Sequence, residues 1–366
     1  MPDEEDGIMP SQQLSLFSPG SVRPFNYPFP STRYQGSKRT LVDWIWENVW
    51  HLSFDTVLDV FGGTGAVSHM FKNAGKQVIY NDLLTFNWHI GQALIENRQV
   101  TLSPGDIDRV LTAQEGVDYP TFIQKTFEGI YFTSEENAGL DRVVHNIQAL
   151  FSDQYKQALA LFALFQACLI KRPYNLFHRA NLYMRTAHVE RSFGNETTWN
   201  TPFERHFRNF AAEANRAIFD NGQTNHALHV DAAETPTGAD LVYIDPPYLN
   251  RKGIGVDYRD FYHFLEGLVH YDSWRTHIDY RSKHRRLQPQ ESPWNQAGEI
   301  IKAFEQLIER HRKSILVISY RDDGIPSKDD LIRLLSRYKK QVTASSQPKQ
   351  YALAHAKAHE LVLIGL

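Results

Sequence analysis

The chain has 366 residues, 42% of them hydrophobic. That is enough for one large catalytic domain with an inserted module, or for two ordinary domains, and too apolar for disorder over most of its length. The net charge of −3 does not advertise a nucleic-acid binder, yet four acids (Asp3, Glu4, Glu5, Asp6) and no Lys or Arg fall in the first twenty residues, so local basic stretches mean more than the total.

Residues 1–28 are polar, Pro-rich and without periodicity, and read as a disordered tail. Apolar residues recur at Leu41, Ile45 and Val49, which predicts an amphipathic helix over Lys38 to Trp50. A strand is predicted at Thr56 to Phe61, then a helix ending near Gly75, then a strand at Gln77 to Asn81. Together they form a βαβ unit. From about Thr85 to Phe219 the pattern is mostly helical, with apolar faces over Leu140 to Phe151 and Tyr155 to Ile170. Residues Asn181 to Phe203 mix Thr, Asn, Gly and aromatics and read as a hairpin or loop. Strands return at Ala227 to Val230, Asp240 to Ile244, Ser314 to Ser319, Gln341 to Ala344 and Glu360 to Ile364. The expected fold class is α/β: a doubly wound sheet interrupted by a mainly helical insert. On this reading residues 29–95 and 225–366 form the catalytic domain and 96–224 the insert.

Three motifs carry chemistry. The first, Asp59-Val-Phe61-Gly62-Gly63-Thr-Gly65, ends the first strand, where glycines let the backbone approach a ligand in the crevice of an α/β sheet. Taken alone it is also an ordinary tight turn. A nicotinamide dinucleotide is a rival ligand, but Ser68 stands where that fingerprint needs Gly or Ala, and Asp59 would repel a pyrophosphate. The acid suits an ammonium group instead. The second is Asp82, 23 residues on, at a distance where an acid commonly receives ribose hydroxyls; it would serve equally as a helix cap. The third is Asp245-Pro246-Pro247-Tyr248 after an apolar strand. Two prolines fix a rigid turn and hold Asp245 and Tyr248 in set directions. An exocyclic amino nitrogen on adenine is a poor nucleophile because its lone pair is delocalised into the ring. Acceptance of both amino hydrogens, by the Asp245 carboxylate and the Pro246 carbonyl, would restore a usable lone pair. The flat face of Tyr248 would stack on the base. Standing alone, the tetrapeptide is no more than a rigid surface turn.

Tyr34-Gln-Gly-Ser-Lys38, Asp59 to Gly65, Asn81-Asp82 and Asp245 to Tyr248 follow one another in an order that resembles the Dam-like (D12 class) N6-adenine DNA methyltransferases, found in bacteria and phages and in restriction-modification systems. The resemblance covers residues 30 to 366. It implies a Rossmann-like fold with an inserted target-recognition region, S-adenosylmethionine as cofactor, no metal, and duplex DNA as partner with the target base flipped out. Tyr34, Lys38 and Asp59 to Gly65 would line the cofactor site, Asp82 would take the ribose, Asp231 the cofactor adenine, and Asp245 would bridge cofactor and target. Ser319 to Asp322 would close the target pocket. Within the insert, Lys171, Arg172, Tyr174, Asn175, Phe177, Arg179 and Asn181 match the family's DNA-contacting stretch. From Gln166 to Arg216 there are eight Lys or Arg against four Glu, a balance that suits phosphates; a solvated helical surface would look similar. The stretch from Thr186 to Trp199 departs from the solitary GATC methylases and implies a different recognition sequence. Alternatives on the same fold are an N4-cytosine or RNA-base amino methyltransferase, or a silent DNA-binding regulator, the last disfavoured by intact Asp59, Asp82, Asp245 and Tyr248.

Three further features complete the sequence. His355 and His359 have helix-face metal spacing without a third ligand. Cys168, the single cysteine, excludes an internal disulfide, points to reducing, cytoplasmic surroundings and reads as core. The first residues lack the basic-then-apolar pattern of a secretion signal, and the apolar run Ala158 to Ile170, broken by Gln166, is too short to span a bilayer, so no membrane association is expected. In the tail, Gln13-Leu14-Ser-Leu16-Phe17 resembles the pentapeptide by which bacterial proteins bind the DNA polymerase sliding clamp. A restriction endonuclease is the other partner the resemblance implies.

Overall fold

A computed structural model describes residues 26–187, 196–349 and 358–366. The tail residues Gln13, Leu14, Leu16 and Phe17, and His355, lie outside the described residues.

Seven strands form one sheet: β1 (Thr56–Asp59), β2 (Gln77–Asn81), β3 (His226–Leu228), β4 (Leu241–Ile244), β5 (Ile315–Arg321), β6 (Val342–Lys349) and β7 (Ala358–Gly365), in the order β3-β2-β1-β4-β5-β7-β6. The first five are parallel, and β7 runs antiparallel to both β5 and β6. The order reverses between β1 and β4, where open α/β sheets form a ligand crevice at their carboxyl ends. Register places Asp59 opposite Tyr80 and Tyr243. Asp82 and Asp245 each follow two residues later, so three acids end three adjacent strands. The reversed direction of β7 sets its first residues beside the end of β5, with Glu360 opposite Arg321.

The central strands are buried on both faces and read as continuous apolar runs, Leu241 to Ile244 among them. The helical segment shares one core with a face of the sheet: Val57 and Val78 belong with Leu140, Phe162 and Phe207. At its centre runs the helix Gln154–Ile170, capped by Asp153 and buried from Ala158 to Leu169. A helix apolar on every side must lie inside; Cys168 is part of it. Ser103 with Asp106 and Thr133 with Glu136 form capping boxes on two neighbouring helices. Among the described residues no helix is long and apolar enough to cross a membrane.

Within Asn181 to Phe203, expected as a hairpin or loop, the described residues include short helices at Tyr183–Thr186 and Glu196–Asn200, and residues 188–195 lie outside the described residues. His359 lies on strand β7, so its spacing is not that of a helix face, and its Nδ1 pairs with Asp322 at 2.9 Å.

Candidate functional site

The crevice between β1 and β4 holds a cavity of ≈ 340 Å³. Tyr34, Lys38, Asp59, Asp82 and Asp245 all line it, with Phe61, Gly62, Gly63 and Pro247 of the two turns. The Gly-rich turn is positioned from below by Tyr80, whose hydroxyl donates to the carbonyls of Gly63 (2.8 Å) and Asn87 (2.9 Å). A Cβ on Gly62 would come within 2.1 Å of the Tyr80 ring, so only glycine fits there. Gly65 does not reach the cavity; with φ 76° it begins the helix Ala66–Asn73.

The three carboxylates differ in their partners. Asp59 is 1% exposed. Its Oδ2 accepts the Ser68 hydroxyl at 2.6 Å, while Oδ1 has no hydrogen-bond partner of ordinary geometry. Burial pushes this carboxyl up to about 7, against the pull of Ser68 and the Phe61 N–H and with help from the charges of Asp245 and Asp82. Asp82 accepts the Gly63 N–H (2.9 Å) and the Leu84 N–H (2.9 Å), and burial holds it at about 6. It closes the turn before the helix Thr85–Gly91, whose N-cap is Leu84, rather than capping that helix, and it stands on the cavity wall.

Asp245 belongs to a cluster. Its Oδ1 takes the Lys38 ammonium at 2.6 Å and the Tyr248 hydroxyl at 2.8 Å. Lys38 also pairs with Glu360 at 2.9 Å and touches the Tyr248 hydroxyl. Glu360, 0% exposed, accepts from Tyr248 (2.8 Å) and Ser319 (3.3 Å). Burial would lower the Lys38 pKa, but the two carboxylates more than reverse it. Burial likewise raises Asp245, with Lys38 opposing. Tyr248 is held at its hydroxyl end, where the ammonium touches it, and its ring makes a T-shaped contact with Tyr320 at 5.0 Å. Pro246 is buried and, like Tyr248, does not line the cavity.

Two expectations shift. Asp231 does not line the cavity; its carboxylate caps the turn Ala232–Glu234 through the Ala233 N–H at 2.8 Å. Of Ser319 to Asp322, Ser319 bonds Glu360 in the cluster and the Tyr320 ring packs against Tyr248. Tyr320 bonds the Ile325 carbonyl, and Arg321 and Asp322 pair with Asp323 and His359.

The segment Lys171–Asn181 divides into two sets. Lys171, Arg172, Phe177 and Asn181 are buried, which corrects the expectation that they touch DNA directly. Lys171 donates to the carbonyls of Trp199 (2.9 Å) and Thr201 (2.7 Å) and pairs with Glu136. Arg172 donates to the carbonyls of Leu176 (3.2 Å), Tyr131 (3.1 Å) and Arg179 (3.1 Å) and to the Asn181 side chain. The phenyl ring of Phe177 stacks on Phe264 at 5.0 Å. Tyr174, Asn175 and Arg179 form the outer surface, Tyr174 being 57% exposed.

Sequence reasoning missed Glu360 and the aromatic cluster at the cavity, where Tyr34 stacks on Tyr262 (4.4 Å) and on Tyr258 (5.4 Å), which also stack on each other at 6.3 Å. The signal for Glu360 was a lone acid heading an otherwise apolar strand.

Residues 34–313 match the family described as D12 class N6 adenine-specific DNA methyltransferase. The chain is 30% identical over 334 residues to the type II methyltransferase M2.HphI of Haemophilus parahaemolyticus, covering 89% of this chain and 93% of that protein. It is 24% identical over 336 residues to the type II methyltransferase M.NlaIII of Neisseria lactamica, covering 87% and 92%. The modification methylase StsI of Streptococcus sanguinis is 26% identical over 333 residues, 84% of this chain and 46% of that protein.

Proposed function

The chain belongs to the D12 class of N6 adenine-specific DNA methyltransferases, and from that membership we propose how its own residues perform the transfer of a methyl group to adenine. One observation carries the proposal: Asp59, Asp82 and Asp245 converge on one cavity, and Asp59 keeps a buried oxygen unpaired. A buried, partnerless carboxylate oxygen is costly unless a donor arrives to meet it. S-adenosylmethionine, whose bound form supplies an electrophilic methyl group, offers such a donor in its ammonium group.

In this reading Asp59 receives that ammonium and Asp82 the ribose hydroxyls, while the backbone at Phe61, Gly62 and Gly63, with Tyr34 and Lys38, encloses the cofactor. The target adenine leaves the duplex stack, since its amino group is out of reach inside it. Asp245 and the Pro246 carbonyl accept the amino hydrogens. Pro247 keeps the turn rigid, and Tyr248 is held by Asp245 and Glu360. Lys38, anchored by Glu360, gives Asp245 a fixed direction, and most of the rate comes from such positioning. The raised pKa of Asp245 suits it to take the amino proton as the new N–C bond forms.

Residues 29–95 and 225–366 serve as the catalytic domain and 96–224 as the recognition insert. There Tyr174, Asn175 and Arg179 face duplex DNA, and Lys171, Arg172, Phe177 and Asn181 shape the segment that presents them. The named relatives support a restriction-modification role with a cognate endonuclease. Gln13, Leu14, Leu16 and Phe17 are proposed to bind a sliding clamp. A peptide of residues 8–20 should titrate onto purified clamp, and its Leu16→Ala, Phe17→Ala version should not; equal binding by both removes the proposal.

The mechanism is tested by Asp245→Ala. Transfer of labelled methyl to duplex DNA should fall by about a thousandfold or more, the scale of losing a positioned catalytic group, with an unchanged circular dichroism spectrum. Activity within a few-fold of the parent refutes the role.

A further inference from the structure

Two surface segments share an unusual backbone. Tyr174 (φ 62°), Asn175 (φ 57°) and Arg285 (φ 56°) are the non-glycine residues with left-handed φ among the described residues. Such backbone is unfavourable for a residue with a Cβ, persists only where its surroundings enforce it, and concentrates at functional sites. Tyr174 and Asn175 belong to the recognition segment already described. Arg285 belongs to a loop that nothing so far has employed.

That loop, Asp279 to Arg286, is pinched at its neck by the bridge between Ile278 and Leu287 and by the Asp279 N–H on the Arg286 carbonyl at 2.8 Å. Inside, the Ser282 N–H bonds the Asp279 carbonyl (3.0 Å) and the Arg285 N–H the Ser282 carbonyl (3.1 Å). It is therefore a built turn. Four of its eight residues, Arg281, Lys283, Arg285 and Arg286, are cationic. Its single acid, Asp279, lies at the neck, accepts the Arg281 N–H at 3.1 Å and meets the Arg281 and Arg286 side chains only at 3.5 Å. The Arg281 side chain is 96% exposed, Lys283 is exposed, and the Arg285 guanidinium lies over the ring of the exposed Tyr280. So dense a positive turn repels itself and gains nothing from the core.

Its position is tied to the recognition segment. The Tyr131 hydroxyl is 2.5 Å from the Phe177 carbonyl, 2.8 Å from the His284 carbonyl and 2.7 Å from the His263 Nε2, so its one proton is shared where the two segments meet at a buried point. Four residues after Arg286 the chain reaches Gln290, which with Glu291 and Ser292 lines the cavity. Four residues span at most about 14 Å, which bounds the distance from Arg286 to the cavity wall.

We infer that the loop Asp279 to Arg286 is a second grip on the phosphate backbone of duplex DNA, meeting at Tyr131 the segment that carries Tyr174 and Arg179. The inference rests on the DNA methyltransferase reading. Guanidinium and ammonium groups on an exposed, pre-shaped turn without an apolar anchor suit phosphates, which fix register and orientation and carry no sequence information themselves.

The test uses the full chain and a 30-base-pair duplex, with affinity read by fluorescence anisotropy from 50 to 300 mM salt. Arg281→Ala with Lys283→Ala should weaken binding about tenfold at 150 mM and lower the slope of log K against log salt by about 1.8, or 0.9 for each lost phosphate contact. Arg281→Lys should keep the parental slope. Arg312→Ala with Lys313→Ala, exposed cations at the amino end of β5 and away from the site, should also keep it. A parental slope in the loop variant, or an equal loss in the control pair, overturns the inference. A parent chain that binds duplex but labels no adenine would instead refute the methyltransferase reading and leave the loop's role to be judged from the slopes alone.

Discussion

Arg172 and Asp59 are equally buried, each 1% exposed, and they handle burial in opposite ways. Arg172 donates to three backbone carbonyls and the Asn181 side chain. Asp59 holds the Ser68 hydroxyl, feels the Phe61 N–H, and leaves Oδ1 without a hydrogen bond of ordinary geometry. A buried charge whose bonds are complete is architecture, because breaking the set exposes several groups at once. A buried charge left incomplete lowers the stability of the free protein and is retained where a ligand completes it. On this comparison the carboxyl ends of β1, β2 and β4 are built to receive a ligand, and the inner half of the Lys171–Asn181 segment is built to hold a shape.

Asp59→Asn should have the largest effect. It keeps the Ser68 bond and removes the charge, so affinity for S-adenosylmethionine in calorimetry at pH 8 should fall by about 2–3 kcal/mol, the worth of a hydrogen bond to a charged group. The free protein should become more stable above pH 7. The Asp59 pKa, raised to about 7 in the fold, means that ionising it is penalised as pH rises from the ordinary carboxylate range to 7, and the neutral amide escapes that penalty. Cofactor binding needs the ionised form. Affinity of the parent should therefore weaken as pH falls below 7, by up to about tenfold per unit. In Asp59→Asn only the part due to Asp82, which ionises near 6, should remain. A variant that binds as tightly as the parent with the same pH profile breaks the comparison on this side.

Arg172→Ala sharpens the other side. It strands three carbonyls and the Asn181 amide, and should cost about 3–5 kcal/mol in denaturant unfolding. Arg179→Ala, on the exposed surface, should change stability by no more than about 0.5 kcal/mol while lowering the salt slope of DNA binding by about 0.9. If Arg172→Ala unfolds like the parent and changes only the slope, its side chain reaches DNA and the division of this segment fails.

Where the sequence could be read, topology did the work. A parallel strand that stops delivers the side chain at its carboxyl end to the crevice, so Asp59, Asp82 and Asp245 were visible as a set. Glu360 was not, because its strand is legible as apolar but its antiparallel direction is decided by pairing with β5 and β6. The Lys171–Asn181 stretch was legible in residue type only. An irregular segment has no period to say which side chains point outward, and basic residues were read as phosphate ligands when two of them bind carbonyls. The Tyr34 stack was hidden for the same reason: Tyr258 and Tyr262 lie more than two hundred residues away in sequence.

The most direct measurement is the chemical identity of the product. Duplex DNA incubated with the full chain and S-adenosylmethionine, digested to nucleosides and resolved by mass spectrometry, should contain N6-methyldeoxyadenosine, absent when Asp245→Ala replaces the parent. Methyl groups recovered as N4-methyldeoxycytidine instead would contradict the account.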